Sequence, residues 1–408
     1  MTTITHSPDP IVLTAEQKAA IEMIKKNSVS ILTGGPGTGK TTTIKSILKW
    51  TKEHEMSVSM AAASGKAAKR ISETTNHPAT TIHKLLKARF IDDGFYFEHN
   101  ENNPLQADML IVDETSMVDT NLMAELLRAV EIGTKVLFIG DQDQLPSVGS
   151  GAVFRDFLAS KKIPTTTLNI IHRNSGAIIK ACHAIKHGQD FIPPDTLNPD
   201  SGDNFRHIEE NNQTKIIGII RAVVSRMIKR GYDPLWDIQI LSPLNKRTVM
   251  SCENINKVMQ DAINPNPIIE NYQFRIADKV INTKNEKIDD ATFIVNGDLG
   301  QILDIQGGKL TVKFFYPERV VELSKIENNL LLAYSCTVHR YQGSEVPVVI
   351  LPIHKSFGYF VNRPLIYTAI SRAQQILITV GQFSAFKAAV KRTQSQMRTT
   401  MLKPQLAI

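Results

Sequence analysis

The stretch VSILTGGPGTGKTTTIKSILKW, from Val29 to Trp50, joins an apolar β-type run to a helical pattern through a glycine-rich loop. Gly34 and Gly39 bracket four residues and are followed by Lys40 and Thr41, which satisfies GxxxxGK[ST] between a strand and a helix. Glycines let backbone N–H groups curl around phosphate oxygens at a helix N-terminus, where unpaired donors and the helix dipole favour anions. Gly35, Pro36, Gly37, Thr38, Gly39, Lys40, Thr41 and Thr42 are therefore expected to hold a nucleotide. Lys40 would reach the β- and γ-phosphates, and the Thr41 hydroxyl would hold Mg²⁺.

The same alternation continues on both sides of this loop. VSMAAA (58–63), MLIVDE (109–114) and KVLFIGD (135–141) are short apolar runs separated by helix-sized segments. Such runs indicate buried parallel strands with crossover helices, and ligands in such sheets bind at the carboxyl ends of the strands. After about Lys161 the pattern predicts a second α/β unit, with TTTLNI (165–170), DIQILSP (237–243), VPVVILPI (346–353) and QILITVG (375–381) as strands. Two segments break it. Residues 87–107 carry a DG turn flanked by aromatics and read as a hairpin insertion. Residues 270–332 are β-type throughout, punctuated by NG and GG, and read as a small inserted barrel. The expected class is α/β with parallel sheets: an N-terminal unit over 1–160 and a C-terminal unit over 161–408, each with an insertion.

Composition removes several classes. The chain has 408 residues, enough for two or three domains and too many for a peptide or disulfide-stapled fold. Its three cysteines are far apart, and neither CxxC nor HExxH occurs, so no disulfide framework or zinc site is indicated. The start lacks the basic and apolar regions of an export signal, and no apolar run approaches the ~18–20 residues of a membrane span. A reducing, cytoplasmic setting with no membrane contact is the expectation. There are 47 Lys and Arg against 40 Asp and Glu, a net +7. Residues 40–90 hold ten basic and three acidic residues, residues 91–131 one and ten, and residues 381–408 five and none. The basic tail reads either as a solvated terminus or as an auxiliary DNA contact.

Several side chains fall where nucleotide chemistry needs them. Asp113 and Glu114 end an apolar strand, as a metal-binding aspartate and a carboxylate that accepts a proton from attacking water would. A glutamine after the next strand, Gln144 in GDQDQLP, can hydrogen-bond both γ-phosphate and water. Arg173 and Arg372 each follow strand-like text in the second unit. An isolated arginine more often forms a surface ion pair, but a cation arriving across the cleft is worth ~10³–10⁵ in phosphoryl-transfer rate.

Together, ILTGGPGTGKTTT, IVDETSMVD, GDQDQLPSVGSGAVF, the stretch from Leu168 to Arg173, TVHRYQGSE and YTAISRAQQ resemble, in that order, the RecD-like branch of superfamily 1B DNA helicases. The resemblance runs from Leu13 to about Gly381. It implies two RecA-like domains that clasp ATP and Mg²⁺ between them and move 5′ to 3′ on single-stranded DNA. It places Gln17 on the adenine, Glu345 on the ribose, and Gln342, Gly343 and Ser344 where motor strokes couple to DNA. Arg173 and Arg372 become the two arginines supplied by the second domain. The DNA path would use Ser64, Gly65, Lys66, Thr81, His83, Thr337 and His339. Where the family commonly has Pro-Thr before its glycine, this chain has Ala63-Ser64.

By the same resemblance, Phe95, Tyr96 and Phe97 would form a strand-separating pin and 270–332 an SH3-like domain. The aromatics could equally pack the hairpin down. A monomer working on single-stranded and forked DNA, with replication or recombination proteins as partners, is the implied setting in a bacterial or phage-infected cell. An RNA-directed relative, and a translocase that remodels complexes and separates strands poorly, remain as alternatives.

Overall fold

The computed structural model describes residues 12–91, 94–170, 176–269, 272–289, 292–315, 318–324, 329–393 and 400–406. The first unit opens with α1 (Ala15–Lys26), β1 (Val29–Gly34), α2 (Lys40–Glu53), β2 (Val58–Ala62) and α3 (Gly65–Thr75). A short β3 (Thr80–Thr81) and α4 (Ile82–Leu85) lead into the antiparallel pair β4 (Ala88–Ile91) and β5 (Gly94–Phe97). β6 (Met109–Asp113), α5 (Thr120–Arg128), β7 (Lys135–Gly140), α6 (Val153–Ser160) and β8 (Thr165–Leu168) complete it. Six strands form one parallel sheet in the order β3-β2-β6-β7-β1-β8.

The period of two along a strand explains how this sheet is covered on both faces. Ile31, Leu110, Val112 and Phe138 point to one side and pack with Met123 and Leu126 of α5 and Phe154 and Phe157 of α6. Their neighbours Leu32, Ile111, Leu137 and Ile139 point to the other, against Ile24, Ile44, Ile47 and Ile71 of the first three helices. Each such side chain contributes roughly 1.5–3 kcal/mol by leaving water. With polar positions confined to the strand ends, the residues able to do chemistry are left along one edge of the sheet.

The second unit contains α7 (Ala177–Lys186), β9 (Phe205–Glu209), α8 (Gln213–Lys229), β10 (Ile238–Ser242) and α9 (Cys252–Ile263). A β-rich segment follows: β11 (Lys279–Asn282), the short pair β12 (Glu286–Lys287) and β13 (Phe293–Ile294), then β14 (Leu299–Gln306), β15 (Lys309–Phe315), β16 (Glu318–Ser324) and β17 (Leu330–Leu332). After it come β18 (Ser335–Thr337), β19 (Val346–Ile353), α10 (Arg363–Ile370), β20 (Ala373–Gly381), α11 (Phe383–Lys391) and α12 (Leu402–Leu406). The second parallel sheet has the order β18-β10-β19-β20-β9. The β-rich segment forms an antiparallel sheet, β16-β15-β14-β11-β17, with its own core of Val280, Ile302, Leu310, Val312 and Phe314.

Two placements differ from the sequence reading. The sequence pattern places TTTLNI in a unit beginning at about 161, yet Thr165–Leu168 pairs in parallel with β1 and closes the edge of the first sheet. A short, threonine-rich, half-exposed strand suits an edge, and β1 would otherwise leave that edge unpaired. The basic tail is not simply solvated: Leu402 and Leu406 of α12 pack against the first unit's core beside α6, and the Thr400 hydroxyl donates to the buried Asp156 carboxylate. All three cysteines are free and buried. Among the described residues no helix is long and apolar enough to cross a membrane.

Candidate nucleotide and nucleic-acid sites

The phosphate loop leaves β1 and enters α2 through Gly39, whose φ of +88° lies in the left-handed region that favours glycine. Lys40 Nζ lies back on the loop, donating to the carbonyls of Gly34 at 2.6 Å and Gly35 at 3.0 Å. Thr38 Oγ1 donates to the Gly35 carbonyl at 2.8 Å. These contacts keep the loop curled and the ammonium inside it, where an arriving phosphate competes with two neutral carbonyls. Gln17 is buried, with Oε1 accepting from Thr14 N at 2.8 Å in a capping box and Nε2 donating to Gly39 O at 3.2 Å. Its amide is committed to tying α1 to the phosphate loop.

A cavity of about 470 Å³ opens over this loop. The first unit contributes residues 35–42, Asp113, Glu114 and Gln144, and the second contributes Glu345, Ser371, Arg372 and Gln374. Asp113 Oδ1 accepts from Glu114 N at 2.9 Å, and Glu114 adopts φ of +51°, a left-handed conformation uncommon for its type. Burial and the adjoining Glu114 carboxylate push the Asp113 carboxyl up to about 6. Two adjacent carboxylates facing a phosphate loop are chemically suited to a divalent cation, with Thr41 lining the same cavity.

Arg372 is buried and reaches across from the second unit. Its Nη2 donates to Gln144 Oε1 at 2.7 Å, and Nη1 lies 4.0 Å from Glu114 Oε1. Nε donates to Thr368 O at 3.1 Å and Nη1 to Ser344 O at 3.3 Å, which fixes the guanidinium plane. Glu345 is ion-paired with Arg70 of α3 in the same cavity. Sequence reading had not singled out Arg70, because a lone arginine in the middle of a helix carries no local signal. Arg173 and its neighbours 171–175 lie outside the described residues.

The residues expected along DNA divide into two groups. Ser64 caps α3 by accepting from Ala67 N at 3.3 Å, with Gly65 as the first helical residue. Lys66 sits 4.8 Å from the Tyr341 ring centroid. Burial and the Lys279 ammonium pull Lys66 down to about 7. Thr337 Oγ1 accepts from Arg340 N at 3.3 Å, and His339 is exposed. The second group is aromatic: Thr81 caps α4, and His83 on that helix lies 4.8 Å from Phe95 and 6.2 Å from Phe97 between ring centroids. Burial lowers the His83 imidazole, partly offset by Asp119. Phe97 also packs against the first unit's core, whereas Tyr96 is 53% exposed. Of the three aromatics expected to form a pin, Tyr96 alone is exposed.

Residues 12–195 match the AAA domain family and residues 332–380 the UvrD-like helicase C-terminal domain. The ATP-dependent RecD2 DNA helicase of Deinococcus radiodurans is 34% identical over 400 residues, 96% of this chain and 52% of that protein. Along nearly its whole length the chain is similar to RecD-type DNA helicases. The RecBCD enzyme subunit RecD of Mycolicibacterium smegmatis is 28% identical over 431 residues, 96% of this chain and 74% of that subunit. The chain thus spans about half the length of the RecD2 relative. Bacteroides Pif1, solved bound to single-stranded DNA, shares the fold, with a TM-score of 0.53 and 17% identity over 91% of this chain and 92% of that one.

Proposed function

We propose that the chain is an ATP-hydrolysing motor that moves 5′ to 3′ on single-stranded DNA and unwinds duplex ahead of it. The observation that carries this reading is Arg372, held by the second unit against Gln144 and near Glu114 above the phosphate loop of the first. Hydrolysis in such an arrangement requires both units to be closed on the nucleotide, and so turnover can be geared to their relative motion.

Lys40 binds the β- and γ-phosphates when it exchanges its loop carbonyls for them. Glu114 orients the attacking water and takes its proton, while Gln144 holds water and γ-phosphate in line. Arg372, and Arg173 by its position in the motif, stabilise charge that develops on the γ-phosphoryl oxygens. Thr41 and Asp113 are the residues that would hold Mg²⁺, which neutralises phosphate charge when bound. Glu345 takes the ribose once it parts from Arg70. Gln17 serves the adenine end chiefly through the loop it braces.

Ser64, Gly65, Lys66, Thr337 and His339 supply the DNA contacts on the two units, with Thr81 and His83 beside the hairpin. The antiparallel sheet corresponds to the SH3-like module, and β4–β5 to the strand-separating element. A monomer acting on single-stranded and forked DNA with replication or recombination proteins, in a bacterial or phage-infected cytoplasm, fits this reading. A translocase with weak strand separation is favoured by one observation: Phe95 and Phe97 pack inward on His83. ATPase assays with poly(dT) and poly(U) test the motor. Lys40→Ala should abolish nucleic-acid-stimulated turnover; retained stimulation would remove the site assignment, and stronger stimulation by poly(U) would redirect the substrate to RNA.

A further inference from the structure

The loop after β7, Asp141 to Pro146, belongs to the first unit by sequence but is held largely by the second. Leu145 packs within the second unit's hydrophobic core. Its N–H donates to Thr368 Oγ1 at 2.8 Å and its carbonyl accepts from Gln342 Nε2 at 2.8 Å. Tyr367, adjoining Thr368 on α10, donates its hydroxyl to Asp141 Oδ2 at 2.6 Å, with both residues about 1% exposed. Asp141 Oδ1 also accepts from Asp143 N at 3.1 Å, which folds the loop that presents Gln144. The same phenol oxygen lies close beside the phosphate loop: a Cβ added to Gly35 would be 2.9 Å from it. One oxygen of the second unit is therefore bonded to one nucleotide-binding loop of the first and lies beside the other.

We propose that the Tyr367 hydroxyl is a positioning group for hydrolysis, a cross-cleft joint that aligns the Asp141–Pro146 loop with the phosphate loop when the units close. The inference rests on the motor reading above and specifies how closure is transmitted to Gln144. Tyr367 does not line the cavity over the phosphate loop, in which Lys40, Glu114, Gln144 and Arg372 meet. Its bond to Asp141 is nearly dry, and a hydrogen bond to a charged group in such a place is far stronger than one in water. Burial and the Asp141 carboxylate hold the phenol well above its usual range, so it remains a donor throughout the working pH range. The glycine at position 35 has a second purpose here, since any side chain would drive the phenol off Asp141.

Tyr367→Phe removes only the hydroxyl. It should lower poly(dT)-stimulated kcat roughly tenfold or more, the effect of losing one charge-assisted hydrogen bond at closure. The equilibrium Kd for a non-hydrolysable ATP analogue should stay within about threefold, since Lys40 and the loop amides are untouched. Asp141→Ala, which also loses the bond from Asp143 N, should cost at least as much, and adding Tyr367→Phe to it should lower kcat no further. Asp141→Asn keeps an acceptor and should recover part of the rate. Gly35→Ala should be strongly impaired alone and partly rescued in the Tyr367→Phe background, where its methyl has room. A purely structural tyrosine would give additive losses and no rescue. Additive effects, or wild-type kcat in Tyr367→Phe, would overturn the joint. A wild-type chain without nucleic-acid-stimulated turnover would instead overturn the motor reading itself.

Discussion

Replacing Arg372 with lysine keeps the charge and removes the planar fork. The guanidinium now donates to Thr368 O at 3.1 Å, Ser344 O at 3.3 Å, Gln144 Oε1 at 2.7 Å and Ser371 Oγ at 3.2 Å. A lysine ammonium is a shorter point donor and can reach only some of these from the same backbone position. Two buried acceptors left unpaired cost ~1–3 kcal/mol each. If that loss falls on the closed, hydrolysing state, ~3 kcal/mol corresponds to about a hundredfold in rate. Losing the oriented cation proposed to act on the γ-phosphate adds to it, an effect of ~10³–10⁵ in related chemistry. The expected outcome is poly(dT)-stimulated kcat reduced ~10³-fold, with analogue binding within about threefold and a cooperative thermal transition retained. Steady-state ATPase, equilibrium nucleotide binding and calorimetry measure the three quantities. Arg372→Lys turning over within tenfold of wild type would refute the reasoning. So would a Gln144→Ala effect of full size in the Arg372→Lys background, because the 2.7 Å contact makes the two side chains one unit.

Three further outcomes follow from the geometry. Leu402→Asp with Leu406→Asp should lower the thermal midpoint by a few degrees, consistent with ~1–3 kcal/mol for partly buried leucines, while the salt slope of DNA binding stays unchanged; a changed slope would restore the tail as a DNA contact. Lys66 is drawn down to about 7 and Lys279 to about 8, whereas an unfolded lysine keeps its proton to ~10, so the unfolded chain binds more protons and stability rises with pH between about 7 and 10. Lys66→Met should flatten that rise in denaturant titrations, and an unchanged slope would show that Lys66 is solvated. Phe97→Ala should destabilise the fold by ~2–4 kcal/mol, while Tyr96→Ala should leave stability intact and slow forked-duplex unwinding; equal effects on unwinding and stability for both would remove any separate role for the exposed ring.

Much of the fold was legible because its signals are local. Continuous runs such as Met109–Asp113 and Val346–Ile353 are apolar on both faces, and only a covered parallel strand accounts for that. The glycine loop and the Asp113-Glu114 pair announce themselves within a few residues. What escaped depends on distant partners. Thr165–Leu168 is too short and too polar to reveal that it completes the first sheet, since only the free edge of β1 selects it. Leu402 and Leu406 lie in a basic tail whose charge masks two leucines on one helix face, four residues apart. Tyr367 and Thr368 sit in a segment that reads as helix core, and their polar atoms acquire a purpose only when the Asp141–Pro146 loop arrives from more than two hundred residues away. Phe95 and Phe97 likewise meet partners outside the hairpin, His83 on α4 and, for Phe97, the first unit's core, which the hairpin's own sequence does not reveal.

Strand separation on tailed duplexes tests the central claim most directly. With ATP and Mg²⁺, the chain should unwind a duplex carrying a 5′ single-stranded tail and leave a 3′-tailed duplex paired, and Lys40→Ala should unwind neither. Unwinding only of the 3′-tailed substrate, or of either one without ATP, would contradict the account.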